Sequence, residues 1–187
     1  MAAAAQQPPP GKAGMSGQTD VKILMLHGFT QSGPLFRAKT RALEKLIAKT
    51  LAPSSLAPVL FYPTAPNQLL ARDIPGYQPA PGARWSRTGP FPRAPRFAVS
   101  YSGFYGPVDM LRWCYEPKLT TPTLHYIGSL DTVVDESRSQ ALIDRCQDPV
   151  VVTHPGGHHV PIAKEWALPL AGFIKEHSQN AEPRAGL

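Results

Sequence analysis

At 187 residues, with 42% apolar and 17% charged residues, the chain has the length and balance of one globular domain with a real core. Its formal charge of +6 comes from 19 Lys and Arg against 13 Asp and Glu, scattered without a basic run or interleaved aromatics, which argues against nucleic acid as a partner. No stretch reaches the ~18 apolar residues of a membrane span. Cys114 and Cys146 form neither a C-x-x-C nor a metal-ligand spacing.

Residues 1–20 are rich in Ala, Gln, Pro and Gly and are expected to be a disordered tail, within which Met15 could serve as an alternative start. They lack the charged and apolar regions of a secretory signal, so a cytoplasmic location is expected, with the nucleus also open. From Val21 the pattern changes. Val21 to Leu26 is a near-continuous apolar run, as a strand buried on both faces requires. Ser32, Gly33 and Pro34 punctuate, and Phe36, Leu43, Leu46 and Ile47 then recur at helical spacing to about Lys49. Pro58 to Tyr62 is a second strand, followed by a stretch, residues 63–95, that holds eight prolines and no periodic apolar segment. Phe97 to Tyr101, Thr123 to Ile127 and Val150 to Thr153 read as three further strands. A helix from about Glu136 to Cys146 is expected to turn Ala141, Leu142 and Cys146 inward. Another, from about Ile162 to Glu176, carries Ile162, Trp166, Leu170, Phe173 and Ile174 on one stripe, with Pro169 placed to kink it. Residues 178–187 read as a second disordered tail. The alternation predicts a single α/β domain over 21–177, a parallel sheet with helices on both faces.

Three segments carry chemistry. His27-Gly28-Phe29-Thr30-Gln31 lies where the first strand gives way to a helix, at the carboxyl edge where parallel sheets bind ligands. Gly28 would let the backbone turn so that the N–H groups of Phe29 and Thr30 form an oxyanion site. A phosphate loop is the rival, but Pro34 and Leu35 stand where its Lys and Ser/Thr must be. Asp131, in Gly128-Ser129-Leu130-Asp131, follows the fourth strand, where a carboxylate can orient an imidazole. His158, in His154-Pro155-Gly156-Gly157-His158, follows the last strand. Acid then histidine, 27 residues apart, is the order of hydrolase-fold triads. His154 and His158 are spaced i, i+4, yet Pro155-Gly156-Gly157 forbids the helix that would make them metal co-ligands, so neither a metal nor a cofactor is expected.

Together, Leu26 to Gln31, the Ser102-Gly103-Phe104 that follows Phe97-Ala98-Val99, Gly128 to Val134, and Thr153 to Pro161 resemble the family of serine hydrolases known as FSH, a branch of the α/β-hydrolase fold. The resemblance spans roughly residues 21–85 and 96–175. It implies an esterase or thioesterase acting on small acyl esters or thioesters, carrier-bound thioesters included. It also implies roles by position: Asp131 as triad acid, His158 as triad base, and a backbone N–H of Phe29 or Thr30 as half of the oxyanion hole.

The family's nucleophile motif, of the form G-F-S-Q-G, has no counterpart in this chain. It is expected soon after a Gly-Pro-Phe triplet, present here as Gly89-Pro90-Phe91, but Phe91 runs almost directly into the strand at Phe97. Eleven residues separate Trp85 from Phe97, three of them proline, where a strand–turn–helix unit takes about thirty. The central elbow strand and its following helix are therefore read as deleted. The flanking strands would be left about 9.5 Å apart, two strand spacings, and must slide together or leave two open edges that invite aggregation. Ser102 lacks the flanking glycines of an elbow and Cys114 has no elbow-like setting, so neither is expected to act as a substitute nucleophile. The expected function is a hydrolase of this lineage that is inactive in this chain; the alternative is a non-catalytic relative that binds an acyl ligand or a protein partner through the old cleft.

Overall fold

A computed structural model describes residues 17–29, 31–65 and 95–179. Residues 1–16, Thr30, 66–94 and 180–187 lie outside the described residues, Trp85 and Gly89-Pro90-Phe91 among them, whereas Thr19 and Asp20, expected in the first tail, belong to a strand, and residues 178–179, expected in the second, to a helix. The elements run β1 (Thr19–Leu24), α1 (Gly33–Leu51), β2 (Leu56–Phe61), β3 (Ala98–Tyr101), β4 (Thr123–Gly128), α2 (Glu136–Ile143), β5 (Val150–His154) and α3 (Lys164–Gln179). Short 3-10 turns at Ala52–Ser54 and Asp109–Cys114 were not foreseen from the sequence. No described helix is long and apolar enough to cross a membrane.

All five strands pair in parallel, as an α/β fold requires, but in two sheets: β1 with β2, and β3 with β4 and β5. The two strands expected on either side of the deleted elbow strand, β1 and β3, do not pair among the described residues, so of the two outcomes anticipated the edges stay open. Among the described residues, β1 has only β2 as a strand partner and β3 only β4.

The side chains nevertheless share one core. Val21 of β1, Leu56 of β2, and Leu124 and Tyr126 of β4 cluster with Leu43, Ile47 and Leu51 of α1 and with Leu170, Phe173 and Ile174 of α3. Each such side chain contributes about 1.5–3 kcal/mol through burial, so α1 and α3 hold the two sheets together where hydrogen bonds do not. Residues of β4 out of phase with Leu124 and Tyr126 face the other way. There His125 meets Cys146 just beyond α2, with Nε2 and Sγ 3.6 Å apart, so the helices do cover both faces of the three-stranded sheet.

The helix ends follow from local chemistry. The Ser32 hydroxyl accepts the Leu35 N–H and Pro34 occupies the first turn of α1. Asp135 caps α2 by accepting the Ser137 N–H at 2.9 Å. α2 ends at Ile143, earlier than its apolar pattern suggests. It buries Ser139 and Ile143, while Ala141 and Leu142 are only half-buried. In α3 the buried stripe is Ala167, Leu170, Ala171, Phe173 and Ile174; Ile162 precedes the helix and is exposed.

Candidate active site

The loops after β1, β3, β4 and β5 all leave from carboxyl ends of parallel strands, which brings their residues to two neighbouring edges. The β1 loop is fastened to the segment after β2. His27 Nε2 accepts the Ala65 N–H at 3.0 Å, which leaves its Nδ1 proton to donate to the Gly28 carbonyl at 2.9 Å. The Gly33 N–H donates to Thr64 Oγ1 at 3.1 Å, and a side chain at Gly33 would overlap the Tyr62 carbonyl. At Gly28 the geometry corrects the sequence argument. Its φ lies outside the left-handed region and a Cβ there would meet nothing within 4 Å, so this turn does not demand glycine. Phe29 is exposed, and Thr30 lies outside the described residues.

Asp131 and His158 meet. Nδ1 of His158 lies 3.0 Å from Oδ2 of Asp131, with the carboxylate side chain 4% exposed and the imidazole 43%. Oδ1 accepts the backbone N–H groups of Val133 and Val134, each at 2.9 Å. The tight turn after β4 thus wraps its own amides around the acid. Burial on its own would raise the pKa of Asp131. The Val134 N–H, His158, the Ser102 hydroxyl and the Val133 N–H outweigh it and hold the carboxyl well below the usual range. A carboxylate on Nδ1 selects the tautomer with the proton there and leaves Nε2 free to take up a proton.

His154 goes elsewhere. It is 2% exposed; its Nδ1 accepts the Gly156 N–H at 3.2 Å, and its ring packs against His159 and Trp166. Burial, then the neighbouring His159, lower its pKa, with Asp131 opposing. Gly156 is required by this packing, since a Cβ there would overlap the His159 ring and come within 2.8 Å of His154 Nδ1. His154 and His158, four residues apart, therefore serve different partners. Among the described residues no group of three or more His, Cys, Asp or Glu side chains converges as a metal site would need. A cavity of about 280 Å³ opens between this loop and α3, lined by His154, Gly156, His159, Pro161, Ile162 and Trp166.

Ser102 directly follows β3 with φ at 49°, a left-handed conformation unusual for serine, and is 7% exposed. Among the described residues its hydroxyl has no partner at hydrogen-bond geometry, His158 included. Cys114 is half-buried in the 3-10 turn after β3. Three things escaped sequence reasoning: the approach of Ser102 to Asp131, the amide cradle of Val133 and Val134, and the clasp of His27 onto Ala65. The cradle was within reach, because Asp followed by two and three residues of turn is a pattern that accepts its own downstream amides.

Comparison with known proteins gives a consistent picture. A family model described as serine hydrolase (FSH1) matches residues 15–91 and 82–170. An uncharacterized hydrolase of Schizosaccharomyces pombe is 26% identical over 238 aligned residues, covering 90% of this chain and 54% of the relative. An esterase of Aedes aegypti is 26% identical, covering 87% of this chain and 78% of its own length. A Saccharomyces cerevisiae protein named Family of serine hydrolases 2 is 23% identical, over 82% of this chain and 97% of its own.

Proposed function

The chain belongs to the FSH family of serine hydrolases, and on that premise we propose that it is an esterase-type hydrolase domain retaining its acid, Asp131, and its base, His158, but without the nucleophile, so that it does not turn over esters. The observation that carries this reading is the pair itself: a buried, ionised carboxylate 3.0 Å from His158 Nδ1, with no serine bonded to the imidazole among the described residues. An imidazole so held can draw a proton from a hydroxyl, yet hydrolysis by this route needs a hydroxyl within its reach. The Ser102 hydroxyl is buried and bonded to neither, which disfavours it as a stand-in.

Two comparisons support a loss within the chain. The family match is split into two blocks that overlap across residues 82–91, and the 238 aligned positions of the S. pombe hydrolase exceed the participating share of this chain, 90% of 187 residues, by about seventy. The substrates of the lineage would be small acyl esters or thioesters, carrier-bound thioesters included, met in the cytoplasm or nucleus. The chain spans 54% of the S. pombe relative, and the activity of a whole protein of that kind is part of the proposal.

A second reading, a non-catalytic module for an acyl ligand or protein partner, draws on the large apolar side chains left exposed at the strands' carboxyl ends: Leu26, Phe29, Phe104, Leu130 and Val133. The test is hydrolysis of p-nitrophenyl acetate and butyrate by the purified chain. The proposal expects a rate equal to that of a His158→Ala variant; a rate that depends on His158 would overturn it. Sequencing the genomic interval between the codons of Trp85 and Phe97 locates the loss. An in-frame G-x-S-x-G there marks a shortened transcript, whereas uninterrupted coding DNA marks a genuine pseudoenzyme.

A further inference from the structure

We propose that Ser102 is a positioning residue whose buried hydroxyl donates to the Asp131 carboxylate and fixes that acid for His158. The inference rests on the reading of Asp131 and His158 as acid and base, and it assigns Ser102 a role other than nucleophile.

The backbone brings Ser102 to the acid. Strands β3 and β4 pair in parallel with Tyr101 opposite Tyr126, and the Ser102 N–H extends the ladder by donating to the Tyr126 carbonyl at 2.9 Å. Asp131 leaves the same edge of β4 three residues beyond Gly128, its N–H bonded to the Gly128 carbonyl at 3.1 Å. Ser102 is then held there at a cost. A serine at φ 49° is strained, and such strain persists only where the surroundings enforce it.

They do so on both sides. The Gly103 carbonyl accepts the Ser139 hydroxyl of α2 at 2.8 Å, the Tyr105 N–H donates to the Arg138 carbonyl, and a side chain at Gly103 would overlap Ser100. Clamped in this way, Ser102 presents a hydroxyl that is buried and has no formed hydrogen bond. Buried hydroxyls are rarely left unpaired. The acceptor that leaves the adjoining strand end is Asp131, placed there by the β3–β4 register and the Gly128 turn, and the lowered pKa of its carboxyl agrees with a donor at this position. The other groups acting on that carboxylate are the Val133 and Val134 amides, His158, and, at longer range, His154. Rotation of the side chain about the Ser102 Cα–Cβ bond carries Oγ to the carboxylate and supplies a third protein donor beside the two amides, on an acid that must not turn away from His158.

Two variants separate the hydroxyl from the backbone. Ser102→Ala removes the hydroxyl and keeps the strain; Ser102→Gly removes both. The readout is the carboxyl ¹³C signal of Asp131, followed from pH 7 downward in the full chain. In the native protein the carboxylate should stay ionised to the lowest pH at which the fold survives. Both variants should bring its midpoint up by about one unit, the worth of one hydrogen bond to a charged group. If both titrate as the native chain does, or only one moves, the hydroxyl is not what holds the acid and the proposal falls. A loss of thermal stability without movement of Asp131 counts equally against it. The premise is read separately, from the ¹⁵N shifts of His158 in Asp131→Asn: an unchanged proton position on the ring sinks the acid–base reading, and the Asp131 titration still decides Ser102.

Discussion

Replacing Asp131 by alanine removes an acceptor that serves three donors at once. The Val133 and Val134 amides sit 2.9 Å from Oδ1 and His158 Nδ1 lies 3.0 Å from Oδ2. The Val133 amide and the His158 imidazole lie in exposed settings and can turn to water, so the loss is dominated by the part-buried Val134 amide. A hydrogen bond to a charged group contributes about 1.5–3 kcal/mol net. In a domain of this size each 1 kcal/mol moves Tm by about 2–4 °C, so Asp131→Ala should lower Tm at pH 7 by about 3–12 °C.

The pH dependence has a definite sign. The folded-state pKa of Asp131 is depressed, so its contribution is fully present above the unfolded carboxylate value of about 3.9 and is lost as pH falls toward the lower folded value. The Tm difference between native chain and variant should therefore hold steady from pH 7 to 5 and narrow below about pH 4. Asp131→Asn, which can still accept the two amides, isolates the charge and should cost less than the alanine. Calorimetry across this range is the assay. A difference that is the same at pH 7 and pH 3 would refute the linkage argument, and no difference at pH 7 would refute the cradle.

Gly156→Ala should destabilise the chain by about 1–3 kcal/mol through overpacking against the His154 and His159 rings, read as a drop in thermal midpoint. His27→Ala should release the clasp between the two loops, and the Ala65 amide should exchange with deuterium faster while the β4 amides keep their protection. The open edge of β1 and the exposed Leu24 and Phe61 beside it predict concentration-dependent association. Leu24→Lys should reduce light scattering while changing stability by no more than about 0.5 kcal/mol.

Much of the fold was legible because the signals are local. The apolar run at Val21, the period through Leu43 and Ile47, and the cap at Ser32 each answer to a rule that looks only a few residues away. The sheet was not legible as built. Whether β1 and β3 pair depends on what stands between them, and neither strand's own residues say so. At the site, sequence order brought Asp131 and His158 into one hypothesis, because acid and histidine after successive strand ends can meet in only one place. Gly28 was misjudged by assigning glycine its usual reason. The residues around Ser102 argue only against a nucleophile, and its left-handed φ and buried, unpaired hydroxyl are properties of the tertiary clamp formed by Ser139 and Tyr126, which no local pattern announces.

The central claim is that this chain keeps an acid–base pair with no nucleophile for it to activate. A fluorophosphonate probe reacts with serines made nucleophilic by such a pair, and intact mass measurement after incubation reads the result. The account predicts an unmodified chain at probe concentrations that fully label an intact serine hydrolase. One equivalent of label that disappears in His158→Ala, on Ser102 or on any other serine, would contradict it.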